Sequence, residues 1–180
     1  MTEPPTMRTR LSFLTLHVVL PIIAGGLVYI CWRDPALLMF KWFRVLGVEP
    51  HILQLRLITV SARPSLPYWF VYSLPDGLWV YALTAFMAHV WSGSPASVIK
   101  TGWLSLGLLL GAGSELGQLA GIVPGSFDWT DFVFYVVAAA IPFLAASRSN
   151  FRRSINEQST KEGFAFTNGT GNLPAVGLRQ

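Results

Sequence analysis

Apolar residues gather into four long stretches, and the pattern predicts helices wherever a stretch approaches the ~20 residues a helix needs to cross a bilayer. The first, about Leu11 to Cys31, contains no acid, lysine or arginine. The others run from about Asp76 to Trp91, Thr101 to Val123 and Thr130 to Ala146, the second and fourth being short. The expectation is an all-α polytopic membrane protein, a bundle of four transmembrane helices. Arg8 and Arg10 precede the first stretch as they would in a secretory signal. Its apolar run exceeds an ordinary signal core and lacks an A-x-A-like cleavage site, so it reads as a retained signal-anchor.

The segment between the first two stretches is too apolar for a plain loop. About Ala36 to Val48 mixes Leu37, Phe40, Trp42 and Phe43 with Lys41 and Arg44, as a helix in the headgroup layer does. Ile52 to Val60 is a second apolar piece, ended by Arg63, Pro64 and Pro67. Residues 36–60 are therefore expected to lie on the bilayer or to re-enter it. From Arg148 onward the chain turns polar, and residues 148–180 read as a disordered tail behind a membrane domain of residues 1–147.

Composition agrees with this division. At 52% hydrophobic and 12% charged, the chain has too little polar material to cover a soluble domain of its size. The net charge of +4 is scattered through tails and loops and forms no basic stripe, so no nucleic-acid partner is implied. Cys31 alone excludes an intramolecular disulfide and a cysteine zinc site. Four crossings place Arg8, Arg10, Lys100 and the basic residues from Arg148 onward on one side. That side carries eight bases against five in the long first loop, which favours cytoplasmic termini and a multi-pass protein of the cell membrane.

The third stretch holds the most chemistry. At helical spacing Gly107, Gly111, Ser114, Glu115, Gln118 and Gly121 share a broad face, with leucines largely opposite. Glycines at Gly107, Gly111, Gly113, Gly117 and Gly121 let backbones approach closely, as packed membrane helices do. An acid in such a setting faces a partner, a cavity or a substrate path, which makes Glu115 the centre of the expected site, with Gln118 to orient it. The turn from Pro124 then delivers Asp128 and Asp131 to the fourth helix, where Asp128 suits an N-cap and Tyr135 continues the stripe of Asp131. Pro75, Asp76 and Gly77 form a turn that opens the second helix, with Asp76 as cap and Trp79 as interfacial anchor. Topology puts Asp76, Glu115, Gln118, Asp128 and Asp131 in one leaflet, with Arg56 and Arg63 above as partners.

Glu115-x-x-Gln118, a short turn and Asp128-x-x-Asp131 resemble the signature of the VanZ-like family of small bacterial membrane proteins. The likeness spans Pro75 to about Ala140 and matches Glu115, Gln118 and Asp131 to the family's polar motif. It implies a compact helical membrane domain of the cell envelope, in a family whose founding members are associated with teicoplanin resistance. The basic residue that the family often carries before its last aspartate is absent here, and Tyr135 and Ala138 stand where it often has Asn and Gly.

No Gly-x-Ser-x-Gly, His-Glu-x-x-His or phosphate-cradling loop occurs, so hydrolase, metal and nucleotide mechanisms lack a motif and no cofactor is expected. The expected function is binding of an amphiphile or envelope lipid group in an acidic pocket near one interface, with membrane lipid as the general partner. Two other readings use the same residues: a lipid-modifying enzyme with Glu115 and Asp131 in acid-base roles, and a helix-packing subunit or homo-oligomer whose interface is the glycine stripe.

Overall fold

The computed structural model describes residues 7–123 and 126–169, and in that range the protein consists of helices and their connecting turns, with no strand among the described residues. Helix α1 spans Met7–Trp32, and Thr15–Val19 within it form a π turn. The sequence supplies a cause. Pro21 has no N–H to offer the carbonyl four residues back at His17, and the Leu20 N–H reaches past the usual partner to the Thr15 carbonyl. Arg33 is extended and ends α1, Pro35 prevents its continuation, and the Asp34 carboxylate accepts the Ala36 N–H at 2.8 Å.

The segment between the first two long helices is itself helical. Helix α2 (Leu38–Val45) and α3 (Glu49–Thr59) meet at Gly47, whose φ of 72° closes the turn while the Val48 N–H returns to the Phe43 carbonyl. Two side chains tie this pair to the end of α1. Trp32 donates to the Thr59 carbonyl at 2.9 Å, and Arg56 donates to the Ile30 carbonyl at 2.7 Å with its guanidinium over Phe40.

Helix α4 spans Tyr68–Val90, eight residues earlier in its start than the sequence pattern suggests. Pro75 therefore lies inside a helix, and Asp76 is neither a cap nor part of a turn. A proline forfeits one hydrogen bond, and that loss is tolerated where neighbours cover the backbone; Val71, Ser73 and Pro75 are all essentially inaccessible. Helix α5 spans Val98–Leu119, capped by Ser97, whose hydroxyl accepts the Lys100 N–H at 3.2 Å. It stops short of Val123 because Gly121 takes φ 71°, and the Gly121 and Ile122 N–H groups bond back to Gln118 and Gly117. Pro124 and Gly125 of the expected turn lie outside the described residues. Helix α6 then runs Trp129–Gly169. The polar segment from Arg148, expected to be disordered, continues this helix to Gly169, and residues 170–180 lie outside the described range. After Pro142 no proline interrupts the chain before Pro174, and extending an existing helix is far easier than starting one.

Helix α4 is the hub, packed by α1, α5 and α6. Gly25 of α1 sits where a Cβ would lie 2.8 Å from the Trp79 indole nitrogen and 3.0 Å from the Pro75 carbonyl. Trp79 thus packs against α1, with its N–H 3.4 Å from the Ile22 carbonyl and its ring beside Tyr29. Gly107 of α5 meets Thr84 and Val80, and Gly77 meets Phe134 of α6.

Two helical segments, Met7–Trp32 and Trp129–Arg148, are long and apolar enough to cross a membrane. Their apolar side chains largely face outward: Leu16, Leu20, Ile23 and Leu27 on α1, and Val133, Val137, Ile141 and Leu144 on α6, are all exposed.

Candidate functional site

The C-terminal end of α1, the first half of α4, the end of α5 and the start of α6 converge at one end of the bundle. Each brings a polar side chain. Glu115 of α5 is only 4% exposed, and its Oε2 accepts the backbone N–H of Asp128 at 2.9 Å. This bond satisfies a donor at the entry to α6. Asp128 in turn caps that helix, since its Oδ1 accepts the Thr130 N–H at 2.7 Å and its carbonyl accepts from Phe132. The bland expectation for Asp128 is what its geometry displays.

Asp76 faces Arg33, with Oδ2 and Nη2 3.8 Å apart and both side chains about one-fifth exposed. The Arg33 guanidinium lies over the rings of Tyr29 and Tyr72, at 4.9 and 5.0 Å from their centroids. The charges of Asp131, Glu115 and Arg33 all act on Asp76 and on Tyr135, which places these groups in one electrostatic neighbourhood. Tyr135 is 7% exposed, and its ring covers Gly111, where a Cβ would come within 2.8 Å. Gly111 is therefore small because an aromatic ring occupies the space a side chain would need.

Besides the Ser73 Oγ and Thr84 Oγ1 hydroxyls on α4, two buried side-chain polar atoms among the described residues lack a hydrogen-bond partner, Arg33 Nε and Asp131 Oδ1, both in this neighbourhood. One is a donor and the other an acceptor. Unsatisfied buried groups of this kind are rare and costly, about 1–3 kcal/mol each, so their presence on residues of one cluster is informative.

Several expected roles change. Gln118 is half-buried and makes no hydrogen bond to Glu115; the backbone of Asp128 orients that acid. Arg63 lies 5.7 Å over the Tyr72 ring and forms no ion pair with an acid of the site; Arg33 is the cation that enters. Sequence reasoning passed over Arg33 and Tyr72. The signal was present, because a base directly after an apolar helix suits the negative helix end and lies at the level where its neighbours' acids gather. Among the five glycines, Gly107 and Gly111 pack between helices, and Gly117 meets Val123 of its own turn. Gly113 faces open space and Gly121 serves the turn. The glycines that do pack between helices, Gly107 and Gly111, are covered within the bundle.

Among the described residues no group of three or more His, Cys, Asp or Glu side chains is arranged to hold a metal ion. Fold and site together describe an all-helical protein with two segments apt for a membrane and an acid cluster tied to one arginine. No family model, curated protein or solved structure matches the chain.

Proposed function

We propose that this chain is a multi-pass protein of the cell membrane, a divergent VanZ-like four-helix bundle with cytoplasmic termini, whose acidic end binds the head group of an amphiphile or envelope lipid. Helices α1, α4, α5 and α6 are the four crossings. The outward apolar faces of α1 and α6 support the membrane setting, because soluble monomers rarely expose contiguous patches of that kind. The order Glu115, Gln118, Asp128, Asp131 supports the VanZ-like reading.

The observation that carries the binding role is the orphaned pair, Arg33 Nε and Asp131 Oδ1. A head group with a hydrogen-bond donor for Asp131 and an acceptor for Arg33 satisfies both. Phosphatidylethanolamine has that chemistry, whereas phosphatidylcholine lacks the N–H donor. For the full chain in detergent, native mass spectrometry is expected to show phosphatidylethanolamine retained about tenfold over phosphatidylcholine, the worth of one charge-assisted hydrogen bond, with the preference lost in Asp131→Ala. Equal retention of the two lipids, or a preference that survives Asp131→Ala, contradicts the proposal.

A further inference from the structure

At the opposite end of the bundle a cavity of about 450 Å³ opens between the start of α1, the end of α4, the start of α5 and the middle of α6. That volume falls in the ~300–1,000 Å³ range of small-molecule sites. Its polar chemistry comes from Arg10, His17, Tyr81, His89 and Lys100, and among the described residues no aspartate or glutamate lines it. Its remaining wall is mainly apolar, with Phe13, Ala85 and Pro142 among the contributors.

The polar groups are held in place by one another and by the backbone. His17 lies in the π turn that Pro21 imposes on α1, a local geometry frequent at functional sites. Its Nδ1 shares a 2.6 Å hydrogen bond with the Tyr81 hydroxyl. Phe13 packs against both imidazoles, with centroid distances of 4.6 Å to His17 and 5.3 Å to His89. Lys100 is 5% exposed, and its ammonium donates to the Ser94 carbonyl at 2.9 Å. None of these groups takes part in the acid cluster.

We infer that this cavity is a second binding site, which takes the phosphate head group and adjoining acyl chain of an anionic membrane phospholipid. Among the described residues, an anion entering it meets only positive and neutral groups. The Arg10 guanidinium and the imidazoles, with the positive charge of Lys100 beside them, suit the anionic oxygens of a phosphate diester. The apolar wall calls for a hydrocarbon chain on the same ligand, which a free phosphate lacks. The opening between helix ends is where a head group lies when the neighbouring helices cross a bilayer. This site rests on the membrane reading above, though not on the ligand proposed for the acidic end.

The test uses the full chain in detergent, probed with phosphatidylglycerol, phosphatidylcholine and inorganic phosphate. Phosphatidylglycerol is expected to be retained about tenfold over phosphatidylcholine, and the excess to vanish in Lys100→Gln and in His89→Gln. His89 is only half-buried, so its variant reports on the site even if replacing the buried Lys100 unfolds the chain. The phosphatidylethanolamine preference is expected to persist in His89→Gln and the phosphatidylglycerol preference in Asp131→Ala. Equal retention of phosphatidylglycerol and phosphatidylcholine, or displacement of phosphatidylglycerol by millimolar phosphate alone, overturns the inference. A chain that alkaline carbonate strips from membranes overturns this site and the membrane reading together; an integrated chain without the phosphatidylglycerol preference overturns this site alone.

Discussion

The two ends of the bundle use charge in opposite ways. At the acidic end the ionisable groups are built into the fold: Glu115 holds the backbone at the entry to α6, Asp128 caps that helix, and Asp76 faces Arg33. At the basic end Arg10, His17, His89 and Lys100 surround open volume. The first arrangement spends most of its hydrogen-bonding capacity on structure and leaves two atoms over, while the second leaves a space that a ligand can fill. Substitutions of Glu115, Asp128 and Asp76 should therefore reduce stability at the acidic end, where ligand retention rests on Asp131 and Arg33 alone, and substitutions around the cavity should change retention at the basic end.

The sharpest test of that contrast is on α5 itself. Replacing Gly111 by leucine drives a side chain into the Tyr135 ring and should destabilise the protein by about 3 kcal/mol or more, the upper range for overpacking. Gly113→Ala on the same helix meets open space and should be neutral or stabilising by up to about 1 kcal/mol, from helix propensity alone. Thermal unfolding of both variants in one detergent compares them directly. Similar losses in the two would show that the glycine stripe, and not the Tyr135 contact, sets the packing.

Glu115→Leu leaves the Asp128 N–H buried without an acceptor and should lower stability by about 1–3 kcal/mol, whereas Glu115→Gln keeps an oxygen there and should lose less. Equal losses would mean that the negative charge of Glu115, and not its acceptor, is what the fold uses. Arg33→Met should lower stability by about 1–2 kcal/mol, discounted because the pair remains partly exposed, and adding Asp76→Asn should recover part of that loss. Additive effects in this double-mutant cycle would dissolve the pair. At the basic end, Tyr81→Phe removes one hydrogen bond to His17 and should lower stability by only about 1 kcal/mol. A loss there as large as that of Glu115→Leu would show that the two ends do not differ.

The sequence carried the helical character of the chain and the extent of α1, because both follow from apolar runs that need no tertiary information. The burial of Glu115 and the capping by Asp128 were also legible, one from its apolar surroundings and the other from its position before a helix. The start of α4 was not. Pro75, Asp76 and Gly77 read locally as a turn, and only the cover that other helices give to Val71 and Pro75 lets the helix pass through them. The extension of α6 to Gly169 was hidden for a related reason, since a polar stretch with no strong helix signal of its own is carried by the helix in front of it. Arg33 and the basic cavity depend on residues far apart in sequence. His17 and Tyr81 meet because α1 and α4 run antiparallel, a relation that spacing along the chain does not encode.

The central claim is that α1, α4, α5 and α6 cross a bilayer and hold the acidic and basic ends at opposite faces. Single cysteines at Ser65, Ser97 and Ser126, all exposed, in a Cys31→Ser background, can be labelled with a membrane-impermeant thiol reagent on intact cells and on inverted vesicles. Labelling of positions 65 and 126 from outside and of 97 from inside is the predicted result. Labelling of 65 and 126 from opposite faces would contradict it, because Arg33, Asp76 and Asp131 would then belong to no common site.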